Sequence, residues 1–184
     1  MKVRDRLTMI DPRSRSWHPG FIKKLAAGMN KPRYLEIGVY RGETFNPVSK
    51  YCSLAVGVDI DPEAISYIRK RAQTNVRLGT LQDLEGEFAN VQFDLIFIDA
   101  DHRKDAVIAD FSSALNMLAP GGLILLHDTW PGSVELSNEK YCGSAYLSVP
   151  ELRGLFTDWN FVTLPFHPGL TFCQSTLAGP AWLR

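Results

Sequence analysis

The 184-residue chain predicts an α/β fold: a doubly wound sheet, mostly parallel, with helices on both faces and an antiparallel strand pair at the C-terminal end. Three observations predict it. Short runs at 34–38, 54–58, 93–98 and 123–126 are dominated by apolar residues on both faces, as suits strands buried on both faces. Helix-like segments separate those runs in the manner of βαβ units. The last two apolar runs are joined by only Pro165-Phe166-His167-Pro168-Gly169, a connection too short for a parallel crossover but suited to an antiparallel return.

Apolar positions over residues 21–29 suit a short helix, and the Asn30-Lys31-Pro32 break leads into a first strand, Tyr34-Leu35-Glu36-Ile37-Gly38. A helix-like stretch to about Cys52 precedes a second strand, Leu54-Ala55-Val56-Gly57-Val58. Asp61 and Pro62 read as the N-cap and first position of a helix carrying Ile65, Ile68 and Ala72. Residues 76–78 form a brief third strand and residues 93–98 a fourth, which runs into Asp99. Val107, Phe111, Ala114, Leu115 and Leu118 fall on one helical stripe that Pro120-Gly121 stops. Leu123-Ile124-Leu125-Leu126 is the fifth strand, residues 152–156 suit a helix, and residues 161–164 and 170–173 are the final strand pair.

Composition narrows the class. Apolar residues are 45% and charged residues 22% of the chain, ordinary values for a globular domain, and no run approaches the ~18 apolar residues of a membrane span. Lys plus Arg (20) balance Asp plus Glu (20), which removes the field that would gather a polyanion and argues against a nucleic-acid partner. Cys52, Cys142 and Cys173 are odd in number and widely spaced, fitting neither a disulfide framework nor a zinc site. With no apolar stretch after the basic residues of the N-terminus, a reducing, cytoplasmic location is expected. Residues 1–20 are expected to be a basic, frayed arm, and residues 21–184 one domain with a substrate loop at 130–149.

Ligands of open parallel sheets bind at the carboxyl ends of the strands, so the polar residues there carry the functional signal. The first strand gives Glu36, then Gly38 and Gly42, glycines that let a ligand approach the backbone. Tyr40 stands where the dinucleotide pattern G-x-G-x-x-G needs its second glycine, so a pyrophosphate is disfavoured. The second strand ends in Asp59, whose carboxylate can accept two ribose hydroxyls. A nucleoside without a diphosphate, such as S-adenosylmethionine, fits that combination.

These segments resemble class I S-adenosylmethionine-dependent methyltransferases, which have a Rossmann-like fold. The resemblance is closest to the small O-methyltransferases of the catechol and caffeoyl-CoA type and the related sugar and antibiotic enzymes. It covers residues 33–130. It implies that Glu36, Gly38, Tyr40, Gly42 and Thr44 surround the methionine part of the cofactor, that Asp59 holds the ribose, and that Gln82 contacts the base. Asp99, on the fourth motif, belongs to the same cofactor pocket. The resemblance also implies a divalent metal on Asp99 and Asp128 and a small-molecule acceptor. This chain departs from the pattern in two ways. The third ligand is His127 or Thr129, so that magnesium, which prefers oxygen ligands, competes with softer ions such as zinc. The base is His102 in place of lysine, a group whose ordinary titration near neutrality suits proton removal from a hydroxyl.

The expected reaction is in-line methyl transfer to oxygen, with His102 as base, the metal orienting the acceptor, and Trp130, Tyr141 or Tyr146 forming an apolar wall. Asp61, Asp83 and Asp101 read as caps or solvated groups. His18 and His167 read as loop residues, and Trp17, Trp159 and Trp182 as packing anchors. Two rivals are an NAD-dependent oxidoreductase on a similar sheet and a non-catalytic S-adenosylmethionine-binding module. The sequence carries no signal of oligomeric state.

Overall fold

A computed structural model describes residues 17–177 apart from 85 and 89. Most of the basic arm, and Trp182, lie outside the described residues. The elements in order are α1 (Trp17–Gly28), β1 (Arg33–Ile37), α2 (Phe45–Val48), β2 (Leu54–Asp59), β3 (Thr74–Leu78), α3 (Leu81–Leu84) and β4 (Phe93–Ile98). There follow α4 (Lys104–Leu115), β5 (Leu118–His127), α5 (Ser148–Leu155), β6 (Trp159–Leu164) and β7 (Leu170–Ser175). They build a seven-stranded sheet in the order β3-β2-β1-β4-β5-β7-β6. The first five strands are parallel, and β7 joins β5 and β6 antiparallel, as the short connection requires. The strand order turns back at β1, so the crevice between β1 and β4 is the switch point where ligands bind.

Alternation along each strand sorts the core into two layers. Leu35, Ile37, Ile96, Ile98, Ile124 and Leu126 pack with Val107, Phe111 and Ala114 of α4. Tyr34, Leu95, Phe97, Leu123 and Leu125 pack with Ile22 and Ala26 of α1 and with Phe45 and Val48 of α2. Glu36, Asp99 and His127 continue the second set at two-residue spacing, so they stand at the carboxyl edge on the α1 side of the sheet.

Four local expectations need correction. The chain is already helical at Trp17, so residues 17–20 belong to α1 and not to the arm. Pro19 falls in the first turn, where its missing N–H is no loss. Between β2 and β3, in place of a helix over residues 62–72, only Ala64–Tyr67 forms a 3-10 turn. Asn46 supplies the reason: its side chain donates to the Tyr67 carbonyl at 3.0 Å and accepts the Arg69 N–H at 2.8 Å, taking backbone groups that a continuing helix would use. Leu118 belongs to β5, not to α4, because Met117 already accepts the Phe93 N–H across the strands. Pro120 and Gly121 then fall inside β5, where the register with β4 shifts between Phe93 and Leu95. Finally, the loop expected at 130–149 gives up its last two residues, because α5 already begins at Ser148; the rest holds 3-10 turns at Val134–Ser137 and Ala145–Leu147.

Candidate active site

The carboxyl ends of β1, β2, β4 and β5 open into one cavity of about 900 Å³, at the large end of the ~300–1,000 Å³ typical of small-ligand sites. Glu36, Gly38, Tyr40, Thr44, Asp59, Gln82, Asp99, His102 and Asp128 all line it. Gly42 is the exception. It shapes the turn from behind, with its N–H on the Val39 carbonyl, φ +70°, and the Asn46 side chain where a Cβ would stand.

The turn after β1 is held by Asp59. One carboxylate oxygen accepts the Tyr40 N–H at 2.7 Å and the other the Asp61 N–H at 2.9 Å. Each oxygen keeps lone-pair capacity for a hydroxyl on the cavity side. Tyr40 has φ +47° and its ring is exposed, a strained conformation that this hydrogen bond pins in place. The Gln82 amide nitrogen donates to Asp110 at 3.0 Å and to the Ser113 hydroxyl at 3.3 Å, which fixes the side chain against α4. Glu36 is buried, and its Oε2 accepts the Tyr34 hydroxyl at 2.5 Å. Burial pushes both groups well above their ordinary pKa; the Tyr34 hydrogen bond only partly offsets this for Glu36.

At the other end of the cavity, carboxylates and imidazoles interlock. His102 Nε2 lies 3.0 Å from Asp128 Oδ2 and 3.7 Å from Asp99 Oδ1. Its Nδ1 is 2.6 Å from the Tyr141 carbonyl oxygen; a carbonyl only accepts, so Nδ1 carries hydrogen and Nε2 is the titrating end. His127 Nδ1 lies 2.8 Å from Asp99 Oδ1 and 3.5 Å from Asp128 Oδ2. The hydrogen bonds to Asp128 and Asp99 raise His102 to about 10. Burial would lower His127, but Asp99 and Asp128 outweigh it and raise that ring as well. Burial would raise both carboxyls, and the two imidazoles instead hold Asp99 and Asp128 below the usual carboxylate range. His102 is therefore not a group that titrates near neutrality in the resting protein.

Of the two residues left open beside Asp128, His127 faces the cavity. Thr129 does not: its hydroxyl accepts from Thr171 on β7 at 2.8 Å. Asp128 itself has φ +57°, a left-handed turn that aims its carboxylate back at His102. Asp61, Asp83 and Asp101 behave as structural acids, accepting the N–H groups of Glu63, Thr80 and Arg103.

The sequence reading missed His18. It is no loop residue but lies in α1, buried, lining the cavity, with its ring centroid 4.0 Å from that of His127. The signal that could have found it is its spacing: His18, Ile22 and Ala26 are the buried stripe of α1. His167 is likewise buried, with Nδ1 2.8 Å from the Pro131 carbonyl oxygen. Trp17 and Trp159 do pack as anchors, the first against Phe21 and Phe166, the second against Phe111 and Phe156. Trp130 and Tyr146 line a separate apolar cavity of about 530 Å³ with Thr129, Val149 and Arg153. Tyr141 meets the site through its backbone.

The family model for a methyltransferase domain matches residues 35–129, more than half of the chain. No curated protein matches it. Solved structures share the fold. An O-methyltransferase from Bacillus cereus in complex with SAH superposes with a TM-score of 0.69 at 21% identity, over 86% of this chain and 80% of that one. An SAH-bound methyltransferase from Podospora anserina gives 0.69 at 20%, over 94% and 83%. The O-methyltransferase TomG from Streptomyces achromogenes, involved in tomaymycin synthesis and in complex with SAM, gives 0.68 at 16%, over 86% and 79%.

Proposed function

The chain belongs to the methyltransferase-domain family, and from that premise we propose that it transfers the methyl group of S-adenosylmethionine to a hydroxyl oxygen of a small molecule. The observation that carries this reading is the convergence of Glu36, Asp59, Asp99 and His102, from the ends of three strands and the turn after the last, on one cavity. Asp59 takes the ribose hydroxyls on its remaining lone pairs, and the exposed Ile60 beside it offers an apolar face to the base. Gly38, Tyr40, Thr44 and Glu36 surround the methionine end, and Gln82 reads the base. The SAH and SAM complexes of the Bacillus, Podospora and Streptomyces proteins, on the same fold, favour this ligand.

S-adenosylmethionine supplies an electrophilic methyl carbon on a sulfonium. The acceptor oxygen, beside His102 Nε2, forms the new C–O bond as the C–S bond breaks, and His102 takes the hydroxyl proton. Methyl ether, adenosylhomocysteine and one proton account for all atoms and charge. Most of the acceleration is positioning of donor and acceptor. The resting His102 is protonated at neutral pH because Asp128 and Asp99 pull its pKa up, so the base form increases with rising pH. The resemblance implies a divalent metal, and magnesium fits these residues poorly. It prefers an all-oxygen octahedral shell, whereas both carboxylates are engaged by imidazole and the ring nitrogens of His102 and His127 stand beside them in the cavity. No step is assigned to it.

Calorimetry with adenosylhomocysteine and with NAD, followed by transfer of labelled methyl to a panel of phenols and sugars, tests the reading. Adenosylhomocysteine binding with methyl ether formation is expected. Binding of NAD in its place would make the chain an oxidoreductase, and binding without transfer would make it a cofactor-binding module.

A further inference from the structure

We propose that Asp110 of α4, helped by Ser113, is a positioning residue that locks the Gln82 amide with its carbonyl oxygen toward the base of the nucleoside, so that the cavity takes a 6-amino purine and rejects a 6-oxo purine. The proposal rests on the nucleoside reading above and adds to it a residue outside every motif that carries the resemblance. Gln82 stands at the base end for a local reason. Its segment follows β3, whose end is tied to the ribose side of the cavity by the Gly79 N–H on the Asp59 carbonyl at 2.8 Å. Asp83 then accepts the Thr80 N–H at 3.0 Å and the Thr80 hydroxyl at 2.6 Å, which fixes the turn into α3 and holds Gln82 toward α4.

The chemistry of the partners decides which way the amide points. The two ends of a glutamine amide have nearly the same shape, and only their hydrogen-bond partners tell them apart. An ionised carboxylate accepts and never donates. The edge of Gln82 that meets Asp110 Oδ1 at 3.0 Å is therefore the NH2 group, and the same nitrogen reaches the Ser113 hydroxyl oxygen at 3.3 Å. Asp110 and Ser113 stand three positions apart on one face of the helix, so both anchors draw the nitrogen to the α4 side. Both N–H bonds of the amide are then spent. Its carbonyl oxygen, with no partner among the described residues, is left for a ligand.

That orientation makes the base end an acceptor. Asp110 lines the cavity together with Ala106 and Ala109 of the same helix and with Ile60 after β2. The two alanines leave room for a flat ring, and the Gln82 carbonyl and the Asp110 carboxylate offer it only lone pairs. The 6-amino group of adenine donates to such an edge. The 6-oxo group of hypoxanthine or guanine sets another lone pair against it, and no hydrogen bond forms. With a neutral amide in place of Asp110, either edge of Gln82 finds a partner, the side chain turns over, and its NH2 group becomes available to a 6-oxo purine. Selectivity therefore lies in the carboxylate behind Gln82 and not in Gln82 alone. Gln82 is exposed, so water softens the mismatch and the expected preference is ~10-fold, well below what a sealed polar site gives.

Calorimetry on the full chain compares adenosylhomocysteine with its 6-oxo counterpart, inosylhomocysteine. The wild type is expected to bind the 6-amino nucleoside at least ~10-fold more tightly. Asp110→Asn keeps the size of the side chain and is expected to narrow that ratio to within ~3-fold, chiefly by tightening the 6-oxo nucleoside. Gln82→Met removes the amide and leaves the Asp110 charge in place, and there too the ratio is expected to narrow. A wild-type ratio near one would overturn the proposal. So would a loss shared equally by the two nucleosides in Asp110→Asn, which would make Asp110 a packing residue, or a preserved ratio in Gln82→Met, which would mean that the charge reads the base directly. A wild type that binds neither nucleoside would overturn the nucleoside reading as well, and the two failures are thereby told apart.

Discussion

Gly38 and Asp99 meet through backbone alone. A Cβ built on Gly38 would stand 2.2 Å from the Asp99 carbonyl oxygen, and Gly38 has φ +85°. The ends of β1 and β4 are thus pressed together at the floor of the cavity, where any side chain would prise them apart. Gly38→Ala is expected to destabilise the fold by at least about 2 kcal/mol, from backbone strain plus the clash, and to abolish adenosylhomocysteine binding. Gly20, in α1 with open space within 4 Å of the point a Cβ would occupy, is the control: Gly20→Ala is expected to be neutral or stabilising by about 0.5–1 kcal/mol. Urea denaturation with calorimetry on both variants reads the contrast.

Asp59 serves the turn and the ligand together, accepting the Tyr40 and Asp61 N–H groups. Removing it should cost two charge-assisted hydrogen bonds to ribose as well as the Tyr40 conformation. Asp59→Ala is expected to lose at least ~100-fold in adenosylhomocysteine affinity, from bonds worth about 1.5–3 kcal/mol each. Adenine-free analogues that keep the ribose should suffer the same ratio, whereas an unchanged affinity would remove Asp59 from the ligand site.

The pull of Asp128 on His102 is directly measurable. The carboxylate raises the imidazole to about 10, so in chelator-treated protein the His102 ring signals followed by NMR should stay in the protonated position through pH 7 and move only well above it. Asp128→Asn removes the first partner and should bring the midpoint down toward the ordinary ~6.5. A wild-type midpoint near 6.5 would contradict the geometry described for this pair.

Much of this arrangement was legible in the sequence. Alternation along β1, β4 and β5 carries Glu36, Asp99 and His127 to one face because the period of a strand is two, and the largely apolar runs that end in Gly38, Asp59, Asp99 and His127-Asp128 give the sheet edge. What was not legible rests on contacts between segments. Nothing local reveals that Asn46 truncates the segment after β2, because its partners, Tyr67 and Arg69, are more than twenty residues away. His18 is hidden for a different reason: a helix begun at Phe21 severs His18 from the Ile22 and Ala26 stripe to which it belongs. The pKa of His102 depends on the distance to Asp128 in the turn after β5, which no spacing along the chain encodes.

Glu36 makes stability depend on pH in a definite sense. Burial raises its folded pKa above the ordinary 4.5, so the folded state holds the proton more tightly than the unfolded chain. Its contribution is fully present below about 4.5 and is lost as pH rises from there toward the folded value. Glu36→Gln keeps an acceptor for the Tyr34 hydroxyl and has no proton to lose. The difference in urea midpoint between variant and wild type should therefore grow in favour of the variant between pH 5 and pH 8, and a difference that stays flat would mean Glu36 does not keep its proton on folding.

The loop before α5 positions His102 by backbone contacts. The Tyr141 carbonyl accepts from His102 Nδ1, the Ser144 N–H donates to the His102 carbonyl at 2.9 Å, and the Ser144 hydroxyl accepts the Lys104 N–H at 2.9 Å. Gly143 sits between them with φ +54°, and a Cβ there would stand 2.6 Å from the His102 carbonyl oxygen. Gly143→Ala must therefore move the loop, His102 or both. A displacement of about an ångström at a proton-accepting group costs up to ~100-fold in rate, while the nucleoside end of the cavity, built on β1 and β2, is untouched. The expected result is kcat lowered at least ~10-fold with adenosylhomocysteine affinity within about a factor of two. If both fall together, the loop supports the whole cavity; if neither changes, His102 is held by Asp128 and Asp99 without help from the loop.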